Sequence, residues 1–490
     1  MTSEERKMTA LKLSGLLFLL LGVSMIPSFI VAVYYNEIVS MASFAGVIIP
    51  FVVIGGLLAR STRDFQIRIK MRYGFLIVTL AWLLFPLGGA LPLTISGAIP
   101  SYVDAFFEMC SGFSTTGSSI LTDIESLPKS MLFWRSFSHW MGGMGIIVFV
   151  TAVLPSIGIE GQLIASAETP GPTMDKLTPK YSDTARNLYM LYIGISVVET
   201  ILLLMGGMGV YDSLVHTFGT VGTGGFSNYG ANVGHFTSPY IRWVIIVFMM
   251  MCGVNFNLYF VMFRQGFKAM LKDEELRYYL GFIGVPTLLL VISLMCYGTF
   301  KNLFDCVTSS MFNVVGFITT TGYGTDDFTL WPTFCQMILF FLFFVGASTS
   351  STGGGVKVLR VLICLKLIKR GIMLKIHPNR IYSIKLSGRT VPQEVVTNIA
   401  NFIFFYILVV AAGMLLVSFD GFDLITTLSA VLTCIGNVGP GFELIGPADN
   451  FALFSDFSKL ILSCLMIAGR LELFTFFMLF SPHFWNPDKA

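Results

Sequence analysis

The chain has 490 residues, of which 54% are hydrophobic and only 12% are charged, and its mean hydropathy is +0.77. Soluble domains average about 25% charged residues, so most of this chain cannot face water. The net charge of +3 gives no reason to expect a nucleic-acid partner. Because a spanning helix needs about 20 mainly apolar residues, the sequence predicts an integral membrane protein with many spans.

Long apolar segments follow one another along the chain. They run approximately at 13–35, 43–59, 73–95, 133–155, 187–208, 241–263, 279–298, 333–347, 397–419 and 458–480. The first follows a mixed-charge N-terminus, Met1 to Lys12, without a small-residue cleavage site after it. We therefore expect a retained first span rather than a removed signal peptide.

Four shorter, Gly- and Thr-rich stretches lie between these segments, near 104–120, 212–228, 305–325 and 423–441. They are too short and too polar to span. When they are skipped and the loops are numbered alternately, most of the 31 Lys and Arg residues fall on one side. That side, which includes the N-terminus, is predicted to be cytoplasmic. The four stretches then enter and leave on the outer side as re-entrant segments.

Each re-entrant stretch begins with an Asp that closely follows an aromatic residue, and each ends in a Gly-rich loop. The Asp residues are Asp104, Asp212, Asp305 and Asp423, and the loop glycines that we align are Gly117, Gly224, Gly322 and Gly439. One unit thus recurs four times at intervals of about a hundred residues. Asp is a good N-cap, so each stretch is predicted to be a short pore helix followed by an extended loop.

Extended backbone at membrane depth is tolerated only where it is buried in protein or lines water. Four such loops could place rings of carbonyl oxygens around an ion and replace its hydration shell. The predicted filter residues are Thr115, Thr116, Gly117, Val221, Gly222, Thr223, Gly224, Thr320, Thr321, Gly322, Asn437, Val438 and Gly439. Ordinary loops between helices are the alternative, but four loops at matched positions favour a filter for a cation, most simply K⁺.

The span that starts near Trp331 is interrupted by a run of small or hydroxylic residues, 346–355. Three successive glycines, Gly353 to Gly355, make a poor helix, and in lipid they would expose unpaired backbone groups. We expect this run to form a movable constriction of the pore. The alternative is a small-residue face for helix packing.

Arg470 lies in the middle of the last apolar segment, where an arginine costs about 2.5–3.5 kcal/mol on insertion scales. We expect it to face the aqueous pore and to repel waiting cations. The alternative is a structural ion pair with another span, for example through Glu199.

Together these features resemble the Trk/Ktr/HKT superfamily of K⁺ transporters, and specifically its bacterial TrkH-like branch. The resemblance is carried by the four filter loops, 140–146 with Pro155, 175–179, 351–357 and the two extra N-terminal spans. It implies an all-α polytopic membrane protein with four helix–pore-helix–helix units around one central pore. The expected division is an N-terminal two-helix extension (1–68) and pore units at 69–160, 161–270, 271–375 and 376–490.

The resemblance implies K⁺ uptake across the bacterial inner membrane, with K⁺ as the transported ion, no organic cofactor in this chain and no enzyme activity. It also implies a homodimer in lipid that works with a cytosolic, nucleotide-binding regulatory subunit of the RCK type, similar to TrkA. A gate is expected below the filter, and its candidate residues are Gly346, Ser350, Ser351, Thr352, Gly353, Gly354, Gly355, Lys357 and Arg470.

In plant relatives, Ser at the first filter position goes with Na⁺ preference, so Gly at all four aligned positions favours K⁺. The competing interpretations are a Na⁺-permeable cation transporter and a secondary transporter of another small solute. The latter would show broken spans in paired halves rather than four re-entrant loops on one side. The sequence leaves open whether the pathway is a channel or a H⁺- or Na⁺-coupled symporter.

Overall fold

The computed structural model describes residues 3–63, 71–145 and 181–481. Two membrane spans precede the repeated units. Helices α1 (Ser3–Ser24) and α2 (Ile26–Tyr34) form one apolar stretch long enough to cross a membrane, and α3 (Ile38–Ser61) forms the second. Because α1 packs along α3, the two spans form a hairpin beside the first unit. The two extra N-terminal spans are therefore confirmed.

Four units follow, each with a long first helix, a short pore helix and a second helix. The first helices are α4 (Met71–Ile95), α7 (Tyr181–Met205), α12 (Glu274–Cys296) and α16 (Gln393–Val417). The pore helices are α5 (Tyr102–Ser114), α8 (Val210–Val221), α13 (Leu303–Ile318) and α17 (Leu424–Gly436). The second helices are α6 (Lys129–Gly143), α9 (Pro239–Gly253), α14 (Thr333–Leu342) and α18 (Asp456–Arg470). This order confirms the predicted fold class.

The second helices are all short. Helix α9 is followed by α10 (Phe256–Gln265) at an angle of 91°. After α14 the chain leaves helical structure until α15 (Val358–Ile376). Helix α18 stops before Glu472, whose φ is +66°, and α19 (Leu473–Met478) follows. The sequence predicted the break only in the third unit, because small residues accumulate there; the other breaks need only one or two residues.

Two minor elements and five short 3₁₀ helices complete the described chain; the 3₁₀ helices are Asn232–His235, Phe328–Leu330, Ser418–Asp420, Glu443–Ile445 and Phe451–Leu453. Helix α11 (Phe267–Met270) leads into α12, and an antiparallel β-hairpin joins α15 to α16. Its strands are β1 (Lys385–Leu386) and β2 (Arg389–Thr390). Six described helical stretches are long and apolar enough to cross a membrane, or seven if α9 and α10 form one bent span. The protein is an integral membrane protein.

The units close into a ring. The second helix of one unit packs on the pore helix of another: α6 contacts α8, α9 contacts α13, and α18 of the fourth unit contacts α5 of the first. The four pore helices are thereby brought around one axis. Their C-terminal ends are buried, and the loops that follow them contact one another.

The helix starts differ from the prediction in one respect. Only Asp423 is an N-cap; the other three pore helices begin after Ser101, Gly209 and Asn302. The capping role predicted for the remaining aspartates was wrong, because each lies within the first helical turn. There the carboxylates still suit the positive end of the helix dipole. One of them, Asp104, accepts a hydrogen bond from Lys459 Nζ at 2.5 Å.

This difference gives a test at Asp423, whose carboxylate accepts hydrogen bonds from the backbone N–H groups of Ile425 and Thr426, both at 2.9 Å. Replacement of a capping Asp by Ala costs about 1 kcal/mol. Asp423→Ala is therefore expected to lower the unfolding temperature in detergent more than Asp305→Ala, the matched change inside a first turn. Equal losses would contradict this assignment of the caps.

Candidate functional site

The backbone repeats the same course after each pore helix. One residue lies in the left-handed region and a glycine with positive φ follows two positions later. The first set is Thr115, Thr223, Thr320 and Asn437, and the second is Gly117, Gly225, Gly322 and Gly439. The residues between them are Thr116, Gly224, Thr321 and Val438, and each donates its N–H to the carbonyl five residues earlier, at 2.8–3.0 Å. The loops are therefore equivalent in conformation as well as in position.

This geometry corrects the alignment of the second loop. The residue equivalent to Gly117 is Gly225, with φ +79°, and not Gly224 as the sequence suggested. Because Gly224 and Gly225 are adjacent, the sequence allows either of them to be aligned with Gly117. Only the backbone torsions decide between the two alignments. Val221 and Gly222, predicted as filter residues, consequently correspond to the end of the pore helix.

The four loops, residues 115–117, 223–225, 320–322 and 437–439, touch one another in a closed ring, and we call them the filter loops after their predicted role. A Cβ atom built on Gly117 would lie 2.1 Å from the carbonyl oxygen of Gly224. One built on Gly225 would lie 2.0 Å from the oxygen of Thr321, and one on Gly322 would lie 1.9 Å from that of Val438. The ring closes where a Cβ on Gly439 would lie 2.8 Å from the oxygen of Thr116. Only glycine allows this approach, and at each of the four contacts the carbonyl of one loop lies against the glycine of another.

A second set of oxygens belongs to the side chains of loop residues next to the pore-helix C-termini. Thr115 Oγ1 and Asn437 Oδ1 are buried, and neither has a hydrogen-bond partner in the described part of the chain. The Thr223 hydroxyl donates to the Gly222 carbonyl at 2.7 Å. Buried oxygens without a protein partner are costly unless water or an ion satisfies them. Together with the negative ends of the pore helices, they suit a cation.

A buried ion pair supports the outer ends of two loops. Arg135 Nε donates to Glu108 Oε1 at 2.7 Å, and these side chains are 1% and 0% exposed. Glu108 also accepts the backbone N–H of Ile120, at 2.9 Å, just beyond the first loop. The guanidinium of Arg135 lies 4.1 Å from the ring centre of Phe226, just beyond the second loop. Sequence reasoning missed this pair, although ionisable residues in apolar helices were the available signal.

The interrupted segment of the third unit packs directly beneath the filter loops, on the side of the pore-helix C-termini. We call residues 346–356 the intramembrane loop. The N–H of Gly354 donates to Thr320 Oγ1 at 2.6 Å, and that of Ser348 donates to the carbonyl of Gly253 at 3.0 Å. Lys357 is buried, and its Nζ donates to the Gly353 carbonyl. The loop is thus packed in protein, where its backbone groups find partners.

Arg470 lies at the end of α18, at the break in the last span and not in the middle of a continuous helix. Its guanidinium donates to the carbonyl of Thr352 in the intramembrane loop at 2.7 Å. It also donates to the carbonyls of Gly142 and Gly143, at the end of α6, both at 2.6 Å. One side chain therefore joins the first, third and fourth units beneath the filter loops.

The alternative partner of Arg470 takes no part in this arrangement. Glu199 is buried, and neither of its carboxylate oxygens accepts a hydrogen bond from a described residue. Glu472, two residues after Arg470, forms an ion pair with Arg360. Pro155 and the 175–179 motif lie outside the described residues.

Comparisons with known proteins identify the family. The sequence model of the TrkH family, described as a cation transport protein, matches residues 39–486. Over 482 residues the chain is 37% identical to the Trk system potassium uptake protein TrkH of Salmonella typhimurium, covering 97% of this chain and 98% of that protein. The chain belongs to the TrkH family.

Other members of the TrkH family agree with this assignment. The Trk system potassium uptake protein TrkG of Escherichia coli is 34% identical, with 99% of both chains covered. The crystal structure of the potassium transporter TrkH from Vibrio parahaemolyticus matches with a TM-score of 0.86 and 33% identity, over 97% of this chain and 99% of that one. The resemblance seen in the sequence is confirmed, and these relatives are named as transport proteins rather than enzymes.

The ring contact makes a specific prediction for glycine substitutions. Gly225→Ala should disrupt the filter loops, because its Cβ would meet the Thr321 carbonyl at 2.0 Å and φ is +79°. We expect a lower unfolding temperature and loss of K⁺-selective flux in vesicles. Gly230→Ala is the control, since a Cβ there meets nothing within 4 Å. Normal flux through the Gly225→Ala protein would refute the tight ring.

Proposed function

We propose that this chain is the ion-conducting subunit of a K⁺ uptake system, with the ring of four loops as its selectivity filter. The observation that carries the proposal is the closed ring itself, in which each loop glycine abuts the carbonyl of another loop. Rings of carbonyl oxygens replace the hydration shell of K⁺ in known filters. The names of the relatives, which are Trk system potassium uptake proteins, support K⁺ as the ion.

The proposed filter comprises the predicted residues of the four loops with one change in the second, where Gly225 is added and Val221 and Gly222 belong to the end of the pore helix. The proposed gate is the intramembrane loop together with Lys357 and Arg470. Both side chains donate hydrogen bonds to carbonyls of this loop, Lys357 to that of Gly353 and Arg470 to that of Thr352. Opening the path beneath the filter would require at least one of these hydrogen bonds to break, and positive charge there opposes a waiting cation.

The proposed setting is the bacterial inner membrane with the N-terminus in the cytoplasm, as the distribution of Lys and Arg favours. We further propose a homodimer that works with a cytosolic nucleotide-binding subunit of the RCK type. The relatives' designation as parts of a Trk system supports a multicomponent assembly. The unit boundaries given above remain part of this proposal.

Ion flux tests the filter. The purified protein in lipid vesicles should take up ⁸⁶Rb⁺ down a K⁺ gradient, with K⁺ competing better than Na⁺ or Li⁺. Gly117→Ser should relax this preference, because its Cβ would meet the Gly224 carbonyl at 2.1 Å and the ring must shift. Rb⁺ flux with unchanged selectivity in Gly117→Ser would contradict the filter assignment. No flux in any variant, even with a regulatory subunit added, would reject the function.

The gate is tested at Arg470 by two substitutions. Arg470→Ala should raise Rb⁺ flux, because it removes both the charge and the bridge between Thr352 and the end of α6. Arg470→Lys keeps the charge but lacks the forked guanidinium that reaches both partners. If the hydrogen-bonded bridge keeps the path closed, Arg470→Lys should also raise flux. If the positive charge alone keeps the path closed, Arg470→Lys should have wild-type flux. Unchanged flux in Arg470→Ala, with normal expression, would remove Arg470 from the gate.

A further inference from the structure

The middle of the intramembrane loop is held from the side by a carboxylate. Glu275 Oε1 accepts the backbone N–H of Thr349 at 2.6 Å, and Oε2 accepts its hydroxyl at 2.8 Å. Glu275 is only 6% exposed. Both oxygens of one buried side chain thus hold the same residue, Thr349, through its backbone and its side chain. The next residue, Ser350, is in the left-handed region with φ +52°, so the chain turns at this anchor.

The neighbouring carboxylate holds a different element. Glu274 Oε2 accepts the N–H of Ser387 at 2.8 Å, and the N–H of Glu274 donates to Ser387 Oγ at 3.2 Å. Ser387 lies at the turn of the β-hairpin. Lys366 forms an ion pair with Glu274, and its Nζ donates to the carbonyl of Lys385 at 2.6 Å. Glu274 is therefore clamped by the hairpin and by α15.

Both carboxylates belong to the first turn of α12, which Asp273 caps by accepting the N–H of Leu276 at 2.9 Å. A capped helical turn is stiff, and consecutive residues on it point in different directions. A displacement of the β-hairpin would therefore move Glu274, and with it Glu275 and its partner Thr349. Three residues further on, the Thr352 carbonyl receives the hydrogen bond from Arg470.

We propose that the first turn of α12 is the link through which the β-hairpin sets the position of the intramembrane loop, with Glu275 as the positioning residue. The inference rests on the proposed function, in which this loop is the gate. A purely stabilising role at the positive helix end is the competing explanation for Glu275. That role would affect stability without selectively loosening the loop.

The test uses ⁸⁶Rb⁺ flux through the full chain in vesicles, with hydrogen–deuterium exchange as a second readout. Glu275→Gln should raise flux on the order of tenfold, because an amide offers Thr349 one acceptor oxygen where the carboxyl group offers two. Exchange should rise within 346–356 and stay unchanged in α13. Glu394→Gln is the matched control, since it neutralises an exposed carboxylate in the first turn of α16.

The link to the hairpin is tested by Lys366→Met, alone and combined with Glu275→Gln. If the two residues act through one turn, Lys366→Met should also raise flux, and the effects on log flux should not add. If Glu275→Gln does not elute as a single species, Thr349→Val replaces it, because that change removes the hydroxyl partner without altering α12.

Each remaining outcome decides against the inference. Raised flux in Arg470→Ala but wild-type flux in Glu275→Gln would overturn the role of Glu275 and leave the proposed function standing. Wild-type flux in Lys366→Met, or additive effects, would overturn the link to the hairpin. Absence of flux in wild type and in Arg470→Ala would instead reject the proposed function.

Discussion

Backbone that is neither helix nor strand lies at the centre of this membrane protein, and its polar groups must be satisfied without help from lipid. The filter loops meet this constraint partly within their own units, through the hydrogen bonds that run back to the pore helices. The intramembrane loop cannot do so alone. It obtains partners from the second and third units, through Gly253, Glu275 and Thr320. The packing of the units therefore supplies the hydrogen-bond partners that this backbone cannot find locally.

The breaks in the second helices also provide hydrogen-bond partners for this region. A helix end leaves its last carbonyls without intrahelical partners. At the end of α6 those of Gly142 and Gly143 accept from Arg470, and at the end of α9 that of Cys252 accepts from the hydroxyl of Thr352 at 3.2 Å. A continuous helix would have used these acceptors internally. Ending the helices beneath the filter loops thus creates acceptors where the intramembrane loop and Arg470 need them.

The sequence predicted the features that recur, and among those that occur once it singled out the run at 346–355 and Arg470 but not Glu275. Four loops with matched composition could be recognised because each repetition supports the others, and the apolar segments gave the spans. The register at Gly224 and Gly225 could not be read, since adjacent glycines look alike until their torsions are known. Glu275 sits in an acidic helix start, where it looks like an ordinary dipole-stabilising residue. Its contact with Thr349 depends on how two distant segments pack, which no local pattern contains.

The four loops share a backbone course, yet their surroundings differ, and this is possible because one chain encodes all four. In a ring of identical subunits every loop would have the same contacts. Here Gly354 bonds to Thr320 of the third loop and approaches Asn437 of the fourth, with a Cβ-to-Cβ distance of 2.8 Å if Gly354 carried one. The first loop keeps a buried Thr115 hydroxyl without a partner in the described chain. Because the repeats have diverged in sequence, the intramembrane loop can make different contacts with the third and fourth loops. The backbone course that the four loops share is kept.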